Sequence, residues 1–186
     1  TPQAWAVRYA GSDAAVPVDP GHAVERIEAM GSHALLVGNQ GADLVFTAVR
    51  LERTRAGIAG SHVERGARQG ETRTHGFFYR PTGADDGLLG LPIVDAAGRS
   101  TTVRGGAHGS AAVLFLRQHA LDFAALGALR ARAAGGDDGC RASCVDWYGN
   151  ARPLFVGDRV FALLGYEIVE GRLEGGRFGA ERLDER

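Results

Sequence analysis

The sequence contains no lysine: all 21 of its basic residues are arginine. Guanidinium groups favour bidentate pairing and stacking, although a GC-rich gene, which also enriches Ala and Gly, is the plainer cause. Net charge is nearly absent too. The balance is -1 at pH 7, so no long-range field can steer a phosphate backbone, and nucleic acid is not an expected partner. No apolar run approaches the roughly 18 residues of a membrane-spanning helix. No charged segment followed by a short apolar stretch marks a signal peptide. Proline is scarce, at 6 residues, and there is no Gly-X-Y period, which excludes a collagen-like chain. The chain opens on Thr1-Pro2 without methionine, which reads as processing or as part of a longer chain.

Cysteine occurs only at Cys140 and Cys144. A structural zinc site needs about four ligands, and the thioredoxin motif has two intervening residues rather than three. The remaining readings are a small loop disulfide or two ordinary thiols. No metal and no cofactor are expected.

What is abundant is glycine, 28 of 186 residues, roughly twice the usual share. The glycines fall between short apolar runs, as tight turns between strands require. Ala34-Leu35-Leu36-Val37, a turn at Gly38-Asn39-Gln40-Gly41, and Leu44 to Val49 read as a hairpin. Further strands are expected around 76–79, 88–94, 111–116, 160–164, 166–169 and 178–183. One short helix is expected from Asp122, as its cap, through Phe123, Leu126 and Leu129 to Gly135-Gly136.

A faint internal repeat joins these runs. Gly31-Ser32-His33-Ala34-Leu35-Leu36-Val37-Gly38 resembles Gly157-Asp158-Arg159-Val160-Phe161-Ala162-Leu163-Leu164-Gly165, and both lead to similar endings at Val49-Arg50-Leu51-Glu52 and Glu181-Arg182-Leu183-Asp184. The offset is close to three units of about 40–45 residues, the length of a propeller blade. Small twisted sheets have open edges and faces to bury, and radial stacking covers both. The expected fold is therefore mainly β: repeated short antiparallel sheets, a partial β-propeller of about four blades with one short helix. Residues 1–186 would form a single β-rich unit, with the upstream part of the same chain as a partner that completes the ring.

Three stretches carry a resemblance. They are His75-Gly76-Phe77-Phe78-Tyr79-Arg80-Pro81 with Asp86 to Ile93, Asp138 to Pro153, and Arg159 to Gly171. Each resembles segments of uncharacterised bacterial β-propeller-domain proteins. The resemblance implies the C-terminal propeller portion of a larger, envelope-associated protein, and it brings no functional residue with it.

Candidate sites come from the residues alone. Trp147, Tyr148, Asn150 and Arg152 place two aromatics, an amide and a guanidinium in one loop, which suits sugar or protein contacts; Trp147 as a plug between blades is the structural alternative. Cys140 and Cys144 lie just upstream, where a disulfide would stiffen that loop. His75, with Tyr79 and Arg80, forms a second candidate binding group, and Asp85 or Asp86 is the expected acid if His75 acts as a base. Asp137 and Asp138 lack the pattern of a calcium loop. The expected function is a non-enzymatic binding or scaffold module for a protein or carbohydrate partner. The rival is a hydrolase or lyase built on His75 and its acid.

Overall fold

The computed structural model describes residues 4–10, 14–95, 112–130, 151–164, 167–174 and 177–185. Its strands form four antiparallel sheets, three of them meanders. The first meander runs β3 (Arg26–Met30), β4 (His33–Gln40), β5 (Asp43–Leu51) and β6 (Ala56–Glu64). The third has the same order: β12 (Ala151–Val156), β13 (Arg159–Leu164), β14 (Glu167–Glu174) and β15 (Arg177–Glu185). A two-stranded ribbon, β1 (Ala4–Ala6) with β2 (Val16–Val18), precedes them.

The second sheet is the same design with one modification. β9 (Asp86–Asp95), β10 (Ala112–His119) and β11 (Asp122–Arg130) follow each other in order. On the free side of β9, β7 (Ala67–Gln69) pairs with Ile93 to Asp95, and β8 (Phe78–Pro81) pairs with Gly87 to Gly90. Together β7 and β8 act as one first strand, broken by an excursion of residues 70–77. The break is held at its base by the Gly70 N–H, which donates to the Pro92 carbonyl at 2.8 Å. A single 3-10 turn, Thr74–Gly76, lies within the excursion.

Alternation along the strands decides how the sheets stack. On β4, Leu35 and Val37 point one way and Leu36 the other. The first set meets Leu89, Leu91, Ile93, Leu114 and Leu116 from the second sheet. Leu36 meets Val18 of the ribbon. The opposite face of the second sheet gives Leu88, Val113, Phe115, Leu126 and Leu129 to Val160, Ala162, Leu164 and Val169 of the third. The layers therefore follow the chain: ribbon, first, second and third sheet. Each large side chain buried in these seams contributes about 1.5–3 kcal/mol.

The repeat seen in the sequence falls on equivalent places. Gly31 and Gly157, with φ of 62° and 56°, each turn the chain from the first into the second strand of a meander. In all three meanders a bulge interrupts the pairing of the third strand with the fourth, at Ala48/Val49, Phe115/Leu116 and Ile168/Val169.

That bulge explains the one element expected as helix. Residues 122–130 form β11, and the described residues contain no α-helix. Phe115 pairs with Gly127 and Leu116 with Ala125, so Leu126 is an extra residue. The insertion places Leu126 and Leu129 on the same face despite their spacing of three, which imitates helical periodicity. Gly127, at φ 124°, supplies backbone freedom that other residues rarely have. Asp122 follows a two-residue hairpin turn at Ala120-Leu121 instead of capping a helix.

The expected turn at Gly38 is also displaced. β4 continues to Gln40, and the turn is Gly41-Ala42. Gly38 sits within the strand because residues 23–25 run close beside it. A Cβ there would lie 1.7 Å from the Ala23 carbonyl oxygen. Among the described residues no helix is long and apolar enough to cross a membrane.

Candidate functional site

The 70–77 excursion is tied to the first sheet through buried polar groups. Its anchor is Arg26 of β3, a guanidinium buried beside Phe77. Nε of Arg26 donates to Gln69 Oε1 at 2.9 Å, and one amino group pairs with Glu28 Oε1 at 2.6 Å. The other donates to the backbone oxygens of Glu71 at 3.1 Å and Arg73 at 2.9 Å. Arg26 and Glu28 share a face because they alternate along one strand. Gln69 is also tied to Glu25, whose other oxygen accepts from Asn39. The first sheet thus grips the excursion of the second through one polar network centred on Arg26.

Within the excursion, the Glu71 carboxylate is buried. It accepts the Arg73 backbone N–H at 2.7 Å, Arg73 Nε at 3.0 Å and an Arg73 amino group at 2.9 Å. The Arg73 side-chain hydrogen bonds hold the Glu71 carboxyl below the ordinary carboxylate value, against the upward push of burial. His75 Nε2 lies 3.6 Å from Glu71 Oε2. The carboxylate neighbour of His75 is therefore Glu71, two residues before the arginine that occupies it, and not Asp85 or Asp86.

Asp86 serves a different histidine. It pairs across the sheet with His119, and Oδ1 of Asp86 lies 2.7 Å from His119 Nδ1. The backbone carbonyl of Asp85 accepts from Ala120 N–H and from the Gln118 amide. The segment Thr82 to Asp86 is a turn, closed by Thr82 and Gly83 N–H groups donating to the Asp86 carbonyl.

Tyr79 and Arg80, adjacent in sequence, face opposite seams. Tyr79 packs towards the first sheet and donates to Gln118 Oε1 at 2.9 Å. Burial raises its phenol above the ordinary value, with Asp86 adding to the effect. Arg80 lies over the Phe155 ring at 5.0 Å, towards the third sheet, and donates to the Gly157 carbonyl. Arg152 is exposed on β12. Trp147, Tyr148, Asn150, Cys140, Cys144, Asp137 and Asp138 lie outside the described residues.

A last ion pair marks the outer face of the third sheet. Arg159 Nε donates to Glu170 Oε1 at 2.7 Å while its guanidinium covers Phe161 at 4.8 Å. That hydrogen bond lowers the Glu170 carboxyl. Among the described residues no group of three His, Cys, Asp or Glu is placed to hold a metal ion. Sequence reasoning missed Arg26, Glu71 and the His119–Asp86 pair. The alternation Arg26-x-Glu28 and Glu71-x-Arg73 was a visible signal for the first two; the third depends on register between distant strands.

Comparison with known proteins gives no relative: no family model matches the chain, and neither does any curated protein or any solved structure.

Proposed function

We propose that this chain is a non-enzymatic binding or scaffold module made of propeller-type blades, contacting a protein or carbohydrate partner through its loops. The ribbon then stands where part of a further blade would, and the three meanders are successive blades. The stacking of three like meanders, each with the bulged fourth strand, supports the blade reading.

One observation supports binding over catalysis. The carboxylates that acid–base chemistry would need are engaged in structural pairs: Glu71 by Arg73, and Glu170 by Arg159. A carboxylate saturated by a guanidinium and a backbone N–H is a weak base. The contact surface this reading favours combines Arg152 with Trp147, Tyr148 and Asn150. The alternative, a hydrolase or lyase, retains two supporting facts, the 3.6 Å approach of His75 to Glu71 and the 2.7 Å pairing of His119 with Asp86.

The test is a titration of the purified chain with neutral and acidic oligosaccharides, with each ligand recovered and analysed afterwards. Saturable binding with every ligand returned unchanged is the expected result. Cleavage of any ligand that is abolished by His75→Ala would replace this reading with the enzyme.

A further inference from the structure

We propose that the outer face of the third sheet docks a second copy of this chain, with Arg152 gripping the ribbon of that copy. The inference rests on the blade reading above and names the protein partner that meets Arg152.

Register places one arginine at the same point of each meander. Arg26 on β3 is the cross-strand partner of Val37, Arg80 on β8 that of Leu88, and Arg152 on β12 that of Leu163. Cross-strand partners project from the same face of a sheet. Val37 packs against the second sheet, and Leu88 packs in the seam with the third. Leu163 lies between Ala162 and Leu164, which fill that same seam, so Leu163 and Arg152 project from the far side. Each arginine therefore points onward along the stack, towards whatever follows its own sheet.

The first two make the same kind of contact. Arg26 donates to the Glu71 and Arg73 carbonyls in the excursion of the second sheet and lies over the Phe77 ring at 6.0 Å. Arg80 donates to the Gly157 carbonyl of the third sheet and lies over the Phe155 ring at 5.0 Å. A guanidinium suits this double contact, because its N–H groups take carbonyls while its face stacks on a ring. Arg152 is exposed, and among the described residues it has neither a hydrogen bond nor an ion pair. On the same face Leu154, Leu163 and Ile168 are half-buried and Val156 is 62% exposed. No described sheet lies on that side.

The ribbon supplies the targets that Arg152 lacks. Ala4, Ala6 and Val18 pack onto the first sheet, so Trp5 and its cross-strand partner Pro17 face away from the stack. Trp5 is 59% exposed. Among the described residues β1 pairs with β2 alone, and the other edge of such a strand presents free backbone carbonyls. An exposed ring beside free carbonyls is the combination that Arg26 and Arg80 find in their own seams. Arg152 and Trp5 of one chain stand at opposite ends of the stack, so the contact joins two copies. Each ribbon then meets the third sheet of the other copy, a heterologous contact that can close into a ring. Two copies bring twice three meanders, within the roughly 4–8 blades of a closed propeller. A net charge of -1 opposes this association only weakly.

Sedimentation velocity over rising concentration tests the pairing. The samples are the wild type, Arg152→Ala, Trp5→Ala and an equal mixture of the two variants. Both residues are exposed in the single chain, so unchanged melting of the dilute variants is expected and shows that folding is intact. The expected result is a wild-type dimer whose dissociation constant rises roughly tenfold or more with either substitution. The mixture should recover association, because one of the two contacts in a mixed pair keeps both Arg152 and Trp5. A wild type that stays monomeric up to about 0.1 mM would overturn the proposal. So would a dimer indifferent to both substitutions, or a mixture no better associated than either variant alone. A monomeric wild type that still binds oligosaccharide saturably would end the pairing and leave the binding module standing; one that does neither would end both.

Discussion

Replacing Arg26 by alanine tests how the first and second sheets are held together. The side chain makes hydrogen bonds to Gln69, Glu28 and the backbone oxygens of Glu71 and Arg73, and it is almost completely buried. Truncation removes a buried charge from its partner, a change that typically costs about 3–5 kcal/mol. It also strands the Glu71 carbonyl oxygen, and an unsatisfied buried acceptor costs about 1–3 kcal/mol within such a total. The expected loss is therefore about 3–5 kcal/mol, a large part of the roughly 5–15 kcal/mol that stabilises a domain. Arg26→Lys keeps the charge but cannot reproduce the fork, so an intermediate loss is expected. Urea unfolding measures the midpoint, and native-state hydrogen exchange locates the damage in residues 70–77. An Arg26→Ala protein within about 1 kcal/mol of wild type would refute the idea that this network couples the sheets.

Further outcomes follow from other sites. Glu71 has a lowered carboxyl value, so its contribution is fully present above the ordinary value of 4.5 and is lost as pH falls through the folded value. Acid unfolding profiles of wild type and Glu71→Gln should accordingly converge below pH 4.5, and parallel profiles would contradict the pairing. In the β10–β11 turn, Ala120 and Leu121 adopt φ of 50° and 74°. Ala120→Gly should raise stability by about 0.5–1 kcal/mol by relieving strain, as thermal melts would show. Leu121→Gly relieves similar strain but empties a buried position, and a net loss of about 1–3 kcal/mol is expected in the same melts. Gly38→Ala has no room beside the Ala23 carbonyl and should expose residues 23–25 to rapid exchange.

Much of the architecture was legible from the sequence. Runs such as Leu35 to Val37 and Ala112 to Leu116 are strands because short β-branched and aliphatic stretches between glycines favour pleated, buried surfaces. The paired glycines Gly31 and Gly157 occupy equivalent turns. The misreadings have one physical origin: local spacing does not encode pairing. Phe123, Leu126 and Leu129 looked helical because a bulge shifts one residue of the strand. Asp86 looked like a partner for His75 because it is nearby in sequence. Register instead sets it opposite His119, and the excursion returns His75 to Glu71. Arg26 carried no sign of its burial, since a guanidinium is usually solvated.

The most direct test of the binding account uses the two tryptophans, Trp5 and Trp147. Fluorescence titration with the neutral and acidic oligosaccharides is measured on the wild type, Trp5→Phe and Trp147→Phe. The account predicts a saturable change that persists in Trp5→Phe and disappears in Trp147→Phe, because Trp147 belongs to the proposed contact loop. No saturable change in any of the three proteins, or a signal carried by Trp5 alone, would contradict it.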